Sequence, residues 1–244
     1  MTLSLSLPRW SAARVKRELA RVQQYLMMRR LKGIIHVGAN LAQECKYYQR
    51  FDLNVLWIEP NPEIFDQLKT IIAPYMRQRA LQYLVLDEDD KKSILHVANN
   101  MGASSSVLSL AQISDVWPSI NVTRDIEMPT YKLDTIIKKE AIDLSSYDGL
   151  VLDTEGSELL VLKGARAVLQ AMNAVKVEVA DFEVYSGCPR PEQIAEILKE
   201  YDLYEQWRLP FREQHPDGGH IYDITYLRKS FSYRWMRIFS YRWI

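Results

Sequence analysis

Residues 34–40 read Ile-Ile-His-Val-Gly-Ala-Asn, and residues 55–62 read Val-Leu-Trp-Ile-Glu-Pro-Asn-Pro. The first stretch predicts a buried strand that runs into a turn of small residues, and a helix is predicted from about 41 to 50. The second stretch predicts another buried strand, which ends at the carboxylate of Glu59. Together they form a nucleoside-binding βαβ unit, because the turn lets backbone N–H groups approach the ligand and the acid binds ribose hydroxyls.

The composition predicts one globular domain with a substantial core. The chain has 244 residues, of which 48% are hydrophobic and 25% are charged, and chains of this kind bury a single core. No apolar run approaches the roughly 18 residues that span a bilayer, and the first residues lack the basic region of a signal peptide. The two cysteines, Cys45 and Cys188, lie far apart, so we expect a cytoplasmic location, no disulfide and no metal site.

The net charge of zero conceals two basic ends. Residues 1–32 carry eight Lys/Arg and one acidic residue, and residues 228–244 carry five Lys/Arg and no acidic residue. An amphipathic helix is predicted over about 10–31, and Phe-Ser-Tyr-Arg-Trp occurs at both 231–235 and 239–243. These ends could contact an anionic membrane surface or a second subunit of a homo-oligomer, or could fold back onto the body. The body is acidic, which argues against a nucleic-acid partner.

Strands and helices alternate along the body. We predict a strand at 81–86 that forms a hairpin with a strand at 93–98, and one long helix at 157–172. The remaining predicted elements are helices at 62–74, 133–139 and 191–200 and strands at 126–131, 149–152, 175–180, 203–209 and 221–227. This alternation, followed by two consecutive strands, predicts an α/β sheet with an antiparallel element at its end.

Acidic residues lie at or just beyond the ends of several predicted strands. They are Glu59, Asp87, Asp153 and Glu155. Because ligands bind at the carboxyl ends of the strands in an open parallel sheet, we expect these side chains to converge near the 36–40 turn. Any one of them alone could be an ordinary helix cap. Their recurrence after successive strands favours a ligand site.

The order of these motifs resembles that of the FkbM-type methyltransferases, a branch of the class I S-adenosylmethionine-dependent enzymes. The matching segments are His-Val-Gly-Ala-Asn at 36–40, Ile-Glu-Pro-Asn-Pro at 58–62, Gly-Ala-Ser-Ser-Ser at 102–106, Leu-Asp-Thr at 133–135, Leu-Asp-Thr-Glu-Gly-Ser-Glu at 152–158 and Leu-Lys-Gly-Ala at 162–165. The resemblance implies a Rossmann-like seven-stranded sheet with helices on both faces and an antiparallel last strand. It also implies a methyltransferase domain at 33–230 between a basic helical extension at 1–32 and a basic aromatic tail at 231–244.

The resemblance further implies S-adenosylmethionine as the cofactor and a hydroxyl of a small molecule or glycan as the methyl acceptor. It places Gly38 and Asn40 beside the methionine and ribose of the cofactor, Glu59 at the ribose hydroxyls and Asp87 near the adenine. The other candidate cofactor residues are His36, Ala39, Glu44, Asn61, Ser105 and Asp153. A hydroxyl nucleophile also needs a base. Asp153 is the first candidate, Glu155 the second and His220 the third, although its position favours an ordinary surface loop residue. The serine run around Ser105 could be an ordinary loop.

Two positions depart from the family pattern. His36 stands where the family usually has an acid that receives the ammonium group of the cofactor, and Ala42 stands where a third glycine is usual. A neutral imidazole binds an ammonium less strongly than a carboxylate does. We therefore expect Glu44, which follows the turn, or Asp153 to take over this role.

Two other functions share the βαβ unit. A nicotinamide-dependent oxidoreductase is disfavoured, because residues 38–43 do not read Gly-x-Gly-x-x-Gly and the chain contains no Tyr-x-x-x-Lys pair. A binding module that kept the fold and lost its chemistry is the other alternative, and His36 is the residue that favours it. The module predicts weak or absent cofactor binding.

Overall fold

The computed structural model describes residues 12–232. The chain divides into two compact units between Arg30 and Leu31, and the described part of the first unit contains helix α1 (Ala12–Met28). The first eleven residues of the predicted basic extension, and the predicted aromatic tail from residue 233 onward, lie outside the described residues. Within 12–232, no helix has both the length and the apolar character needed to cross a membrane.

The second unit contains the remaining described elements. Its strands are β1 (Gly33–Val37), β2 (Asn54–Ile58), β3 (Gln78–Leu81), β4 (Leu84–Val85), β5 (Lys92–Ala98), β6 (Val122–Tyr131), β7 (Gly149–Leu152), β8 (Ala174–Ala180), β9 (Leu203–Gln214) and β10 (His220–Arg228). Its helices are α2 (Cys45–Gln49), α3 (Pro62–Ile72), α4 (Ile113–Val116), α5 (Leu133–Lys139), α6 (Glu158–Lys163), α7 (Arg166–Ala171) and α8 (Pro191–Lys199), with a 3₁₀ turn at Leu144–Ser146.

Seven strands form the central sheet in the order β3-β2-β1-β7-β8-β10-β9. The five neighbouring strands β3, β2, β1, β7 and β8 run parallel, and β10 is antiparallel to both of its neighbours. This confirms the predicted seven-stranded class I sheet with an antiparallel last strand. The strand order reverses between β1 and β7, so ligands are expected at the carboxyl ends of these two strands.

One face of the sheet is apolar. Ile35, Leu150 and Val175 lie in register across β1, β7 and β8, and all three are buried in one hydrophobic core. The helices α5, α6, α7 and α8 cover this face with the side chains Leu133, Ile136, Ile137, Val161, Leu162, Val168, Leu169, Ile194 and Leu198. Burial of this many aliphatic groups provides the main driving force for folding of the sheet.

The opposite face of the sheet is polar. Successive side chains of a strand point to opposite sides, so the residues that alternate with the aliphatic ones form this second face. His36, Val151 and Lys176 lie in register one position further along β1, β7 and β8. Tyr48 of α2 stacks on Trp57 of β2 on this face, so helices lie on both faces as predicted. The charged residues of this face, in and just beyond β7, β8 and β10, are Asp153, Lys176, Glu178 and Asp223.

The predicted hairpin between 81–86 and 93–98 is wrong. β5 pairs antiparallel with β6, and β4 pairs parallel with β6, so the three strands form a second sheet in the order β4-β6-β5. The acidic turn after β4 is bonded to residues that follow β6. Asp89 accepts hydrogen bonds from the backbone N–H of Lys132 and from the hydroxyl of Thr135, both at 2.9 Å.

The predicted helix at 157–172 is interrupted. Gly164 separates α6 from α7, and a Cβ atom at Gly164 would lie 2.3 Å from the carbonyl oxygen of Leu86. The carboxylate of Asp134 accepts hydrogen bonds from the backbone N–H groups of Ala167 and Val168, which lie in the first turn of α7. A glycine contact and a capping carboxylate from another element therefore divide one periodic segment into two helices.

Candidate active site

The turn after β1 depends on a glycine. Gly38 has φ +83°, and a Cβ atom there would lie 1.7 Å from the carbonyl oxygen of Asp153. Only glycine adopts this conformation in so narrow a space. The N–H groups of Gly38 and Ala39 both donate to the carbonyl of Ile58, at 3.0 and 3.1 Å. The turn is therefore held between the ends of β2 and β7.

Glu59 fastens the same turn to the end of β2. One oxygen of its buried carboxylate accepts the backbone N–H of Asn40 at 2.8 Å, and the other accepts that of Asn61 at 2.9 Å. Burial raises the pKa of Glu59 to about 7, although these two hydrogen bonds act in the opposite direction. A carboxylate has about four lone-pair positions, so two remain for the hydroxyls of a bound ribose.

Two cavities meet at the ends of β1 and β7. The small cavity, of about 50 Å³, is lined by Glu59, Tyr83, Leu84, Val85 and Ser105 among others. The large cavity, of about 420 Å³, lies over the polar face of the sheet and is lined by residues that include His36, Ala39, Glu44, Trp117, Lys176, Glu178, Phe211 and Asp223. The residues that line both cavities are Gly38, Asn40, Ala103, Asp153 and Glu155. A ligand in one cavity can therefore reach a ligand in the other at this junction.

His36 is a buried neutral residue at the floor of the large cavity. Its Nδ1 lies 3.3 Å from the hydroxyl of Tyr48, and its ring centroid lies 4.9 Å from that of Trp57. Burial, together with the nearby positive charge of Lys176, lowers the pKa of His36 to about 3. The imidazole is therefore uncharged at neutral pH and offers no negative charge to an ammonium group.

Carboxylates supply the charge of the large cavity instead. The acidic residues that line it are Glu44, Asp153, Glu155, Glu178 and Asp223. Among residues 12–232, Lys176 is the one lysine that lines it, and it pairs with Asp223 at 2.9 Å. Glu44, at the N-cap of α2, lines the cavity and makes no side-chain capping bond to that helix.

Three of these carboxylates crowd together. Asp153, Glu155 and Glu178 have oxygens that lie within 4.8 Å of one another. Burial raises the pKa of Asp153 to about 7 against the opposing charge of Lys176. Burial and the repulsion from Asp153 raise the pKa values of Glu155 and Glu178 well above the usual range. The group therefore retains protons near neutral pH, and a hard divalent cation would be a second way to offset its charge.

The other predicted site residues are spread more widely. Asn61 is buried and caps α3, where it accepts the N–H of Glu63 at 3.2 Å. Ser105 lines the small cavity, and its hydroxyl accepts the N–H of Ala98 at 3.1 Å. Asp87 lies two residues beyond β4 and lines neither cavity.

His220 also lies away from the cavities. It begins β10, its ring stacks on that of Tyr222 at 5.7 Å, and its backbone N–H donates to Asp181. It lines neither the small nor the large cavity. The structure thus separates His220 from the other two predicted bases, Asp153 and Glu155, which lie at the junction.

The sequence interpretation missed Lys176, Glu178 and Asp223. A signal for the first two was present, because β8 reads Ala-Val-Lys-Val-Glu-Val-Ala. Charged residues at alternate positions of an otherwise apolar strand indicate that one side of the strand faces a polar cavity. Asp223 joins them because β10 pairs with β8 in the register Asp223 to Glu178.

The strand order, the glycine turn after β1 and the acid after β2 together define a Rossmann-like class I methyltransferase fold. The sequence itself identifies the family. The family model described as "Methyltransferase FkbM domain" matches residues 36–203, which is more than half of the chain. The chain therefore belongs to the FkbM methyltransferase family.

Solved structures of similar fold include methyltransferases of distant sequence. The magnesium protoporphyrin IX methyltransferase of Synechocystis PCC 6803 with bound SAM is 7% identical, with a TM-score of 0.47 and coverage of 92% of this chain and 87% of that one. The O-methyltransferase of Bacillus cereus in complex with SAH is 9% identical, with a TM-score of 0.46 and coverage of 91% and 84%. A comparison with curated proteins found no match.

Proposed function

We propose that this chain is an S-adenosylmethionine-dependent methyltransferase that methylates a hydroxyl group of a small molecule or glycan. One observation carries the proposal. The small and large cavities share Gly38, Asp153 and Glu155, so a cofactor whose nucleoside lies against the residues of the small cavity and an acceptor in the large cavity would meet beside two carboxylates. Family membership supplies the reaction class.

The residues of the small cavity fit the nucleoside part of the cofactor. Glu59 has free lone pairs for two ribose hydroxyls, and the apolar side chains of Leu84 and Val85 offer a surface for an adenine ring. The amino-acid part of the cofactor would extend toward the large cavity. There Glu44 or Asp153, rather than the neutral His36, would receive its ammonium group.

The cofactor, when bound, supplies an activated methyl group and its own leaving group. The work left to this chain is to orient the acceptor oxygen and to accept its proton. Asp153 and Glu155 are the side chains placed for that step. The pKa of Asp153, raised by burial to about 7, suits a base that takes up a proton near neutral pH. His220 is not part of this proposal, because it lines neither cavity.

Calorimetric titration with S-adenosylmethionine and S-adenosylhomocysteine tests the cofactor. We expect the wild-type chain to bind both, with dissociation constants on the order of micromolar. Glu59→Gln should weaken binding about tenfold or more, because a hydrogen bond to a charged group contributes about 1.5–3 kcal/mol. Glu63→Gln is the matched control, since Glu63 is an exposed residue whose carboxylate pairs with Arg124.

Thermal unfolding of each variant must accompany the titrations, because Glu59 also holds two backbone N–H groups. A folded wild-type chain that binds neither compound would favour the non-catalytic module. If binding is found, the chain is incubated with S-adenosylmethionine and each member of a panel of glycosides, phenols and hydroxy acids. Formation of S-adenosylhomocysteine then identifies the acceptor. Glu44→Gln tests whether Glu44 receives the ammonium group. If it does, the variant should bind S-adenosylhomocysteine more weakly than the wild-type chain.

A further inference from the structure

Tyr185 lies behind the junction of the two cavities. It follows β8, is only 2% exposed, and donates its hydroxyl hydrogen to an oxygen of Glu155 at 2.5 Å. Backbone hydrogen bonds fix the loop on both sides of it. Ala111 donates to Val184 at 3.1 Å, and Ser186 donates to the carbonyl of Ser109 at 2.9 Å. The phenol therefore presents its hydroxyl from a well-anchored position.

Glu155 is held in an unusual backbone conformation. Its φ of +54° lies in the left-handed region, which a residue with a side chain adopts at a cost. The hydroxyl of Ser106 donates to its carbonyl at 2.6 Å and so supports this conformation. At the next residue, Gly156, a Cβ atom would lie 3.0 Å from the ring of Tyr185. Glycine at 156 thus allows Tyr185 to approach the carboxylate.

Three acidic residues surround Glu155, and their charges repel its ionised carboxylate. Asp153 lies on the same turn, and Glu158 approaches from α6. Glu178 faces it from β8, with an oxygen within 4.8 Å. Among the described residues, the hydroxyl of Tyr185 makes the hydrogen bond to the Glu155 carboxylate. Without this donor, repulsion from three acidic neighbours would favour rotation of the carboxylate away from them.

We propose that Tyr185 is a positioning residue that holds the Glu155 carboxylate at the junction of the two cavities, so that Glu155 is the group that accepts the proton of the acceptor hydroxyl. In that step the O–H bond of the acceptor breaks, its proton passes to the carboxylate, and the oxygen keeps the electron pair with which it takes up the methyl group. The inference rests on the proposed function, because it assigns a role within the same reaction.

The test needs no known acceptor. The full chain, treated with EDTA, is labelled with ¹³C at the glutamate carboxyl groups, and the Glu155 resonance is identified by its absence in Glu155→Gln. Removal of a donor favours the neutral acid, so we expect the titration midpoint of Glu155 to rise by about one pH unit in Tyr185→Phe. Tyr222→Phe is the matched control. It removes a tyrosine–carboxylate hydrogen bond of 3.0 Å to Asp181 and should leave the Glu155 midpoint unchanged.

A second comparison separates positioning from mere support of the fold. S-adenosylmethionine differs from S-adenosylhomocysteine by a methyl group and a positive charge at sulfur. If Glu155 faces the methyl group, its midpoint in the wild-type chain is lower with the first compound than with the second. In Tyr185→Phe, this difference should shrink by at least half. An unchanged difference, or no difference in the wild-type chain, would overturn the proposal.

Two further measurements keep the outcome decisive. If Tyr185→Phe does not fold, 3-fluorotyrosine at position 185 keeps the shape and strengthens the donor, and the Glu155 midpoint should then fall rather than rise. Calorimetry on the same wild-type sample tests the proposed function separately. A chain that fails to bind S-adenosylhomocysteine contradicts the proposed function. A chain that binds it but shows no effect of residue 185 contradicts only the role of Tyr185.

Discussion

The two faces of the central sheet are built from the same strands and differ completely in character. On one face, Leu150 and its neighbours are buried among aliphatic helix side chains. On the other, Lys176 and Glu178 of β8 line a cavity with further acidic residues. The difference shows that one β-strand can contribute to both the core and the site, because its alternate side chains point to opposite faces of the sheet. Substitutions on the first face should lower stability at every pH, and those on the second should change function and the pH dependence of stability.

Leu150→Ala should have the largest effect on stability. Leu150 is 1% exposed and lies in the middle strand of the apolar face. Loss of its side chain should lower the free energy of unfolding by about 2–5 kcal/mol, measured by urea denaturation. The folded fraction should still bind S-adenosylhomocysteine with unchanged affinity. A weaker affinity of the folded fraction for S-adenosylhomocysteine would show that the two faces are not independent.

Asp153→Asn should change stability with the opposite sign and only as the pH rises. The folded chain raises the pKa of Asp153 to about 7, whereas an unfolded aspartate has a pKa of about 3.9. Between these two pH values, the folded state therefore binds a proton that the unfolded state releases. This proton stabilises the folded wild-type chain at low pH, and the stabilisation is lost as the pH rises from about 4 to about 7. The asparagine variant lacks this loss. Its stability relative to wild type should increase by up to about 4 kcal/mol between pH 4 and pH 8.

Denaturation series at several pH values check this expectation. A stability difference that stays constant with pH would mean that Asp153 titrates normally in the folded chain. The variant should also lose methyl transfer if Asp153 takes part in the reaction. Greater stability combined with lower activity is the usual consequence of replacing a charged group that a site holds under repulsion.

Removal of metal ions tests whether a bound cation stabilises the acidic group Asp153, Glu155 and Glu178 on the polar face. Because retained protons and Lys176 offset its charge, we expect EDTA to leave both the thermal midpoint and the affinity for S-adenosylhomocysteine unchanged. Added Mg²⁺, Mn²⁺ or Ca²⁺ should likewise not raise the thermal midpoint. A rise that depends on cation concentration would mean that a bound ion, rather than protons, stabilises the group.

The smallest expected effect concerns His36. Its pKa of about 3 lies well below the ordinary value, so its ring resonances in an NMR titration should not move between pH 5 and pH 8. The unfolded chain binds a proton at this residue that the folded chain does not, and stability from this residue is therefore lost as the pH falls below about 6.5. A His36 midpoint near 6.5 would show that the imidazole is accessible to water and can carry charge.

The sequence was a good guide to the strands that follow a simple periodicity. The βαβ unit around Gly38, the strand at β7 and the antiparallel end were all predicted from local patterns. The errors arose where a distant contact decided the outcome. The hairpin prediction failed because β6 lies between β4 and β5 and pairs with both, and the long helix failed because Gly164 lies against Leu86.

The site was predictable in part for the same reason. Glu59, Asp153 and Glu155 follow strands whose ends meet, so sheet topology alone brings them together. The polar face required the register of β10 against β8, which places Asp223 beside Glu178. Tyr185 required the path of a loop, and no local pattern in the sequence encodes where a loop directs a side chain.

The contact between Gly38 and Asp153 has a consequence for motion. The two turns touch backbone to backbone, with no side chain between them. A side chain can change rotamer and absorb a displacement, whereas two touching backbones transmit it directly. The turn that faces the small cavity and the turn that carries the carboxylates should therefore become ordered together. Occupancy of the small cavity would then reduce the conformational freedom of the carboxylates before any acceptor arrives.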